Sequence, residues 1–379
     1  MNIALLGCGV VGSGVLALTE ARQDLSVTKI LLRRQRPELS DRAVFSMEDI
    51  LADPSVELVA EVMGGVEPAF TYVSAALKAG KHVVTANKAL IAAKGPELLA
   101  LAKEHGAALR CTAAVGGGIP WLVNLERCKR LDEIEEVGGI MNGTSNFIMD
   151  AMHRQGADFG ETLRLAQQLG YAEADPAADI DGGDIRRKLA ISAAVAFDAA
   201  VEETAIPMFG IRNVTAADVA AFRAHGFTCK LLATAVRADD GIAAWIEPTL
   251  LGADDLEAAV PANFNLISYT ADRIGRQSYF GQGAGSLPTA GNVVQDCLDI
   301  LGGVRDFYGT PAAPAAMAHD AVAHPYYVRT ACPDGWLEEH TAERWESGVV
   351  TCAVGVDTML DWAARQLAAD GHTFIAGIR

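Results

Sequence analysis

One lysine stands at the root of an apolar helix, directly behind a run of carboxylates. Glu173, Asp175, Asp179, Asp181 and Asp184 are followed within four residues by Lys188. Asp184 and Lys188 are four apart, so on a helix they share a face and can touch. The segment Lys188-Leu-Ala-Ile-Ser-Ala-Ala-Val-Ala-Phe197 reads as a long buried helix with few charges. A lysine placed there beside ordered carboxylates can act as a proton donor of tunable pKa. The same spacing also describes an acidic loop capping a helix, with a solvated ion pair on its surface.

A second set of residues points to a nucleotide. Asn2-Ile-Ala-Leu-Leu runs into Gly7-Cys-Gly9-Val10-Val11-Gly12 and then an apolar helix, the strand–turn–helix context that gives GxGxxG its meaning. Gly7 makes the turn, Gly9 lets backbone approach a pyrophosphate, and Gly12 allows close helix packing. The free N–H groups at Val10 and Val11 then face phosphate. The next strand, Ser26–Leu32, ends in Arg33-Arg34-Gln-Arg36, with no acidic residue at 31–37 to hold a ribose 2′-hydroxyl. Arginines there suit a 2′-phosphate, which predicts NADP(H) over NAD(H); a solvated basic turn is the plain alternative.

The elements that position these residues follow in order. A buried strand ends at Met63-Gly64-Gly65, and another, Gly80–Thr85, delivers Asn87 and Lys88 to the same sheet edge. Asn87 can cap the following helix. Leu109–Val115 leads to Gly116-Gly117-Gly118-Ile119-Pro120, with Pro120 suited to a helix start. From Ile134 a strand enters Met141-Asn142-Gly143-Thr144, which can form a turn and cap or surround a small polar ligand. Segments 216–226 and 230–236 read as amphipathic, and Phe264–Thr270 and Gln277–Phe280 as strands. Gly281-Gln-Gly283-Ala-Gly285 opens a further helix, another anion-binding start. The fold class expected is an α/β Rossmann-type parallel sheet domain at 1–133, then an α+β substrate and dimerisation domain at 134–310. Of the latter, 287–310 is expected to pack back on the first domain. An Ala/Pro-rich linker at 311–323 and a small α/β module at 324–379 complete the reading.

Bulk properties narrow the function class. A net charge of −17 argues against nucleic acid and anionic membranes as partners, and suits an enzyme of small molecules. No stretch reads as a signal peptide or a bilayer span. Seven scattered cysteines without a CxxC pair point to reduced thiols in a cytoplasm.

Taken together, the motifs resemble homoserine dehydrogenase over almost the whole chain. The matching pieces are Gly7–Gly12, Glu61–Ala69, Gly80–Leu90, Ala114–Pro120, Gly139–Asn146, Gly170–Leu189 and Gly283–Gly285. The resemblance implies NAD(P)-dependent interconversion of L-aspartate 4-semialdehyde and L-homoserine, on the route to threonine, isoleucine and methionine. It implies a homodimer or homotetramer built through the second domain. Position by position, it makes Lys188 and Lys88 the lysines at the reacting oxygen, with Asp184 ordering them. Glu173 and Asp179 become the acceptors for the substrate ammonium, and Thr144, Gly143 and Tyr171 its further contacts. Gly7, Gly9, Val10, Val11, Gly12, Arg33, Arg34, Gly64, Asn87, Lys88 and Gly283 become the cofactor site.

The chain also departs from the family. Thr112 stands where relatives carry Glu, at a monovalent-cation (Na+ or K+) site otherwise built from backbone carbonyls matching Val115, Gly117 and Ile119. Arg186-Arg187 replace a small residue and His ahead of Lys188, and either crowd that lysine with like charge or face solvent. Tyr326–Arg379 resembles a shortened, irregular ACT domain, and its turn Pro333-Asp-Gly335-Trp-Leu matches the ligand-binding turn only loosely, leaving threonine feedback open. Another amino-acid-derived aldehyde or alcohol as substrate, or a non-catalytic NADP(H) sensor, are the competing readings.

Overall fold

The computed structural model describes residues 1–305, 309 and 314–379, so the linker expected at 311–323 lies partly outside the described residues. The chain forms two compact units. One gathers Met1–Glu133, Ala190–Glu202 and Gly281–Pro314; the other gathers Ile134–Leu189, Glu203–Phe280 and Ala315–Arg379.

The first unit opens with β1 (Asn2–Leu6), α1 (Val10–Glu20), β2 (Ser26–Leu31), β3 (Ala43–Val44), α2 (Glu48–Leu51) and β4 (Leu58–Glu61). It continues with α3 (Ala69–Lys78), β5 (His82–Thr85), α4 (Lys88–Glu104), β6 (Leu109–Arg110) and α5 (Trp121–Lys129). Its six strands run in the order β3-β2-β1-β4-β5-β6, all parallel. Parallel strands are covered on both faces, which is why β1 and β4 read as unbroken apolar runs. Ile3 and Leu5 turn to one core with Val15, Leu25 and Val84; Ala4 and Leu6 turn to the other with Val73, Leu77 and Leu98. Strand order reverses at β1, where β2 and β4 part, and ligands of such sheets bind at that switch point.

The second unit begins with β7 (Ile134–Ile140), α6 (Gly143–Gln155), α7 (Phe159–Gln168), α8 (Ala177–Ile180) and α9 (Gly183–Phe197), whose residues from Ala190 on count with the first unit. Then come α10 (Ala216–Ala224), β8 (Thr228–Ala238), β9 (Gly241–Leu251), β10 (Asn265–Ala271) and β11 (Gly275–Gly281). Residues 230–236, expected to be amphipathic, are instead the middle of β8, buried without a break from 230 to 235. A strand covered on both faces shows no alternation, so periodicity had nothing to report.

From Gly281 the chain counts with the first unit again, where α11 (Ser286–Leu301) packs on α1. A Cβ on Gly14 would lie 2.9 Å from the Ala290 side chain, so the missing side chain is what lets the two helices approach. The tail adds β12 (Ala323–His324), β13 (Tyr326–Arg329), α12 (Gly335–His340), β14 (Thr341–Arg344), β15 (Val349–Thr351), β16 (Val354–Gly355), α13 (Val356–Ala369) and β17 (Phe374–Ile378). It does not close on itself. Gly377 and Ile378 of β17 pair in parallel with Thr249 and Leu250 of β9, giving one nine-stranded sheet ordered β11-β10-β7-β8-β9-β17-β13-β15-β14. A long apolar β9 left as an edge would invite wrong pairing, and the tail covers it. Residues 316–318 also run along β9, with Ile242 N donating to Ala316 O and Ala318 N to Ile242 O, both at 2.9 Å. Among the described residues no helix is long and apolar enough to cross a membrane.

Candidate active site

In the first unit the glycines divide by role. Gly7 has φ +91°, open to glycine at little cost, and its N–H donates to Leu31 O at 3.2 Å. A Cβ on Gly12 would lie 2.4 Å from Gly7 O, whereas one on Gly9 would meet nothing within 4 Å. The fold itself demands glycine at 7 and 12; at 9 the backbone borders open space where a pyrophosphate would lie. Val10 and Val11 begin α1 with no side-chain cap over their N–H groups. Arg33 and Arg34 are exposed and form no ion pair among the described residues, while Arg36 is spent on Cys8 O at 2.7 Å and Glu38 at 2.8 Å. The glycine turn and the uncapped start of α1 therefore fit a dinucleotide.

The ends of β4 and β5 are joined by a carboxylate the sequence did not single out. Glu61 is buried and accepts from Thr85 Oγ1 at 2.6 Å, Met63 N at 2.7 Å, and Gly64 N and Asn87 Nδ2 at 3.4 Å. Burial pushes its pKa up against those hydrogen bonds. Asn87 donates to Gly65 O at 2.6 Å and accepts from Leu90 N at 3.1 Å, capping α4. Lys88, half-buried, is then the first residue of that helix.

In the second unit the five carboxylates are sorted. Asp181 is held by Arg212 in a two-pronged pair at 2.9 and 2.6 Å, and Asp175 accepts from Ala177 N at 3.1 Å. Glu173 is exposed. Asp179 and Asp184 converge on one amide: Asn142 Nδ2 donates to Asp179 Oδ1 at 2.7 Å and to Asp184 Oδ2 at 2.9 Å, while its Oδ1 caps α6 by accepting from Ser145 N at 2.8 Å. Lys188 Nζ lies 2.8 Å from Asp184 Oδ2 and donates to Met141 O at 2.7 Å, and both charged partners are buried. A buried pair holds together only when its remaining hydrogen-bonding capacity is met, which Asn142 and Met141 do. Thr144 Oγ1 donates to Tyr171 O at 2.6 Å, and the Tyr171 ring stands edge-on to Phe147. A Cβ on Gly143 would sit 2.6 Å from Asn263 O, so α6 starts with the backbone pressed on that loop. Of the two arginines before the lysine, Arg187 reaches Glu203 at 3.1 Å.

The loop carrying Val115, Gly117 and Ile119 belongs to the first unit. Asn292 of α11 donates through Nδ2 to Gly117 O at 2.6 Å and to Ile119 O at 3.0 Å. Gly283 packs on the same loop, with a Cβ on Gly117 falling 2.6 Å from Gly283 C and O. Thr112 donates to the buried Asp296 from N at 2.9 Å and Oγ1 at 2.8 Å, and Arg110 Nε reaches Asp296 at 3.0 Å.

The family patterns match on both units. The homoserine dehydrogenase pattern covers residues 120–298, and the pattern for the NAD-binding domain of the same enzymes covers 7–112. The chain is 38% identical to homoserine dehydrogenase of Lactococcus lactis, over 88% of this chain and 83% of that one. It is 41% identical to the Corynebacterium glutamicum enzyme, over 81% and 72%. The solved homoserine dehydrogenase of Thiobacillus denitrificans superposes with a TM-score of 0.87 at 31% identity, over 100% of this chain and 98% of that one. The chain belongs to the homoserine dehydrogenase family. It is an oxidoreductase acting on a CH–OH group, with a nicotinamide cofactor domain.

Within a homoserine dehydrogenase, three residues escaped the sequence reading. Asn142 carried a legible signal as a cap, but not its grip on Asp179 and Asp184, which lie 37 and 42 residues away. Glu61 read as part of the buried strand that ends at Met63-Gly64-Gly65, and Asn292 as an ordinary helix residue.

Proposed function

We propose that this homoserine dehydrogenase interconverts L-aspartate 4-semialdehyde and L-homoserine with NADP(H) in preference to NAD(H). The observation that carries this reading is the buried Asp184–Lys188 pair tied through Asn142 to Asp179. When bound, the nicotinamide cofactor supplies or accepts the hydride. During reduction, negative charge builds on the carbonyl oxygen, and Lys188 gives it a proton; in oxidation the same amine takes the proton back. Lys88 acts as an electrostatic and positioning partner. Asp184 keeps the Lys188 side chain from straying. Asp179 and Glu173 accept from the substrate ammonium, and Thr144, Gly143 and Tyr171 frame it. Gly7, Gly9, Val10, Val11 and Gly12 would hold the pyrophosphate, Gly64, Asn87 and Lys88 the nicotinamide end, and Arg33 and Arg34 the 2′-phosphate. The product then feeds threonine, methionine and isoleucine synthesis in the cytoplasm, in a homodimer or homotetramer joined through the second unit.

The deciding experiment follows oxidation of NADPH and NADH with L-aspartate 4-semialdehyde, with and without threonine, in wild type and in Arg33→Ala/Arg34→Ala. Turnover favouring NADPH, with that preference lost in the double variant, supports the reading. Equal use of both cofactors by wild type removes the role of the arginines. Absence of turnover in protein that binds NADPH points to a different aldehyde or to a sensor.

A further inference from the structure

We propose that this enzyme uses no monovalent cation at the loop of Val115, Gly117 and Ile119, and that the side-chain amide of Asn292 holds the loop carbonyls in the cation's place. The loop has the makings of a cation cage, since Gly116 and Gly117 take left-handed backbone, φ +82° and +54°, and the carbonyls of Gly117 and Ile119 converge on one point. A hard cation of the size of calcium, which sodium shares, binds such oxygens at about 2.3–2.6 Å. Here Asn292 Nδ2 stands 2.6 Å from Gly117 O and 3.0 Å from Ile119 O, at the point from which a cation would reach both. Carbonyls only accept, so the NH2 side of the amide is the one that faces them. Its two hydrogens and a cation compete for the same lone pairs, and the amide is part of the chain.

The anionic side of such a site is committed as well. Thr112 brings no carboxylate. The buried carboxylate at hand, Asp296, lies four residues after Asn292 on the same face of α11. It takes the Arg110 guanidinium together with Thr112 N and Oγ1. Arg110, itself fully buried and reaching on to Asp299, thus supplies the positive charge at this end of the helix. A neutral donor at the carbonyls and a guanidinium at the carboxylate together leave a metal ion no electrostatic role.

The test compares the full chain in sodium, potassium and choline chloride at equal ionic strength, reading the thermal midpoint and turnover. Wild type is expected to give the same midpoint and rate in all three. Asn292→Ser, which removes the amide and leaves a hydroxyl too short to bridge both carbonyls, is expected to melt earlier in choline chloride and to recover in sodium or potassium chloride in a saturable way. A wild-type midpoint that rises saturably with sodium or potassium over choline overturns the proposal, as does a folded Asn292→Ser that behaves alike in all three salts. Asn292→Asp, of the same size, gives the same readout where the serine variant does not fold. Should neither fold in any salt, the wild-type comparison decides alone. A change in the proposed substrate or cofactor would leave the midpoint arm untouched, so the two readings fail separately.

Discussion

The amide nitrogen of Asn142 lies 2.9 Å from Asp184 Oδ2 while also donating to Asp179 Oδ1 at 2.7 Å, so one side chain sets the separation of two carboxylates. Asn142→Asp keeps the acceptor that caps α6 but replaces the shared donor with a third negative charge. It should therefore melt earlier, since the added charge is buried beside two others, and lose about 10²-fold in kcat/KM, as for removal of one well-placed donor. Its pH–rate profile should move to higher pH, because an added carboxylate favours the protonated state of neighbouring groups. A merely structural role for Asn142 would lower the midpoint as well but leave the profile where it was.

The lysines should separate from cofactor binding. Lys188→Met and Lys88→Met are each expected to lower kcat by at least ~10²-fold, the usual contribution of a positioned acid–base group. NADPH titration should be nearly unchanged for Lys188→Met. Full turnover by Lys188→Met would remove it from the chemistry.

Gly9 and Gly12 should fail in opposite ways. A Cβ at Gly12 meets the Gly7 carbonyl oxygen at 2.4 Å, so Gly12→Ala should cost about 1–3 kcal/mol in unfolding free energy, despite alanine's better helix propensity. A Cβ at Gly9 meets nothing, so Gly9→Ala should melt like wild type and bind NADPH weakly. Thermal melts set beside fluorescence titrations check both expectations.

A buried lysine makes stability depend on pH in the alkaline range. Lys230 is fully buried in β8, donating to Asn146 Oδ1 at 2.9 Å and Val260 O at 2.8 Å, and burial lowers its pKa from 10.5 to about 8. Between those values the unfolded chain binds more protons than the folded one, so this residue's contribution to stability grows as pH rises and is lost as pH falls toward 8. The difference in unfolding free energy between wild type and Lys230→Met should thus move toward wild type from pH 8 to 10.5, by roughly 1–3 kcal/mol. A difference flat across that range would mean the ammonium stays charged in the fold. Denaturant melts at several pH values give the answer.

What the sequence determined by itself is local or repetitive. The apolar runs of β1 and β4, the glycines at 7, 9 and 12, the cap at Asn87 and the i,i+4 pair of Asp184 and Lys188 each express a period or a contact between near neighbours, and these survive reading in one dimension. The parallel sheet with its switch point and the mixed-sheet unit followed from them. The tertiary structure decided which of five similar carboxylates meet. Arg212 withdraws Asp181 while Asn142 collects Asp179 and Asp184, and both choices depend on loops brought together over 30 or more residues. It also decided that β17 extends the sheet at β9, since edge pairing depends on which strand is left uncovered and strand propensity does not record it. Asn292 makes the same point most simply. Nothing in its neighbours announces a donor, and only the turn of Gly116 and Gly117 aims two carbonyls at its amide.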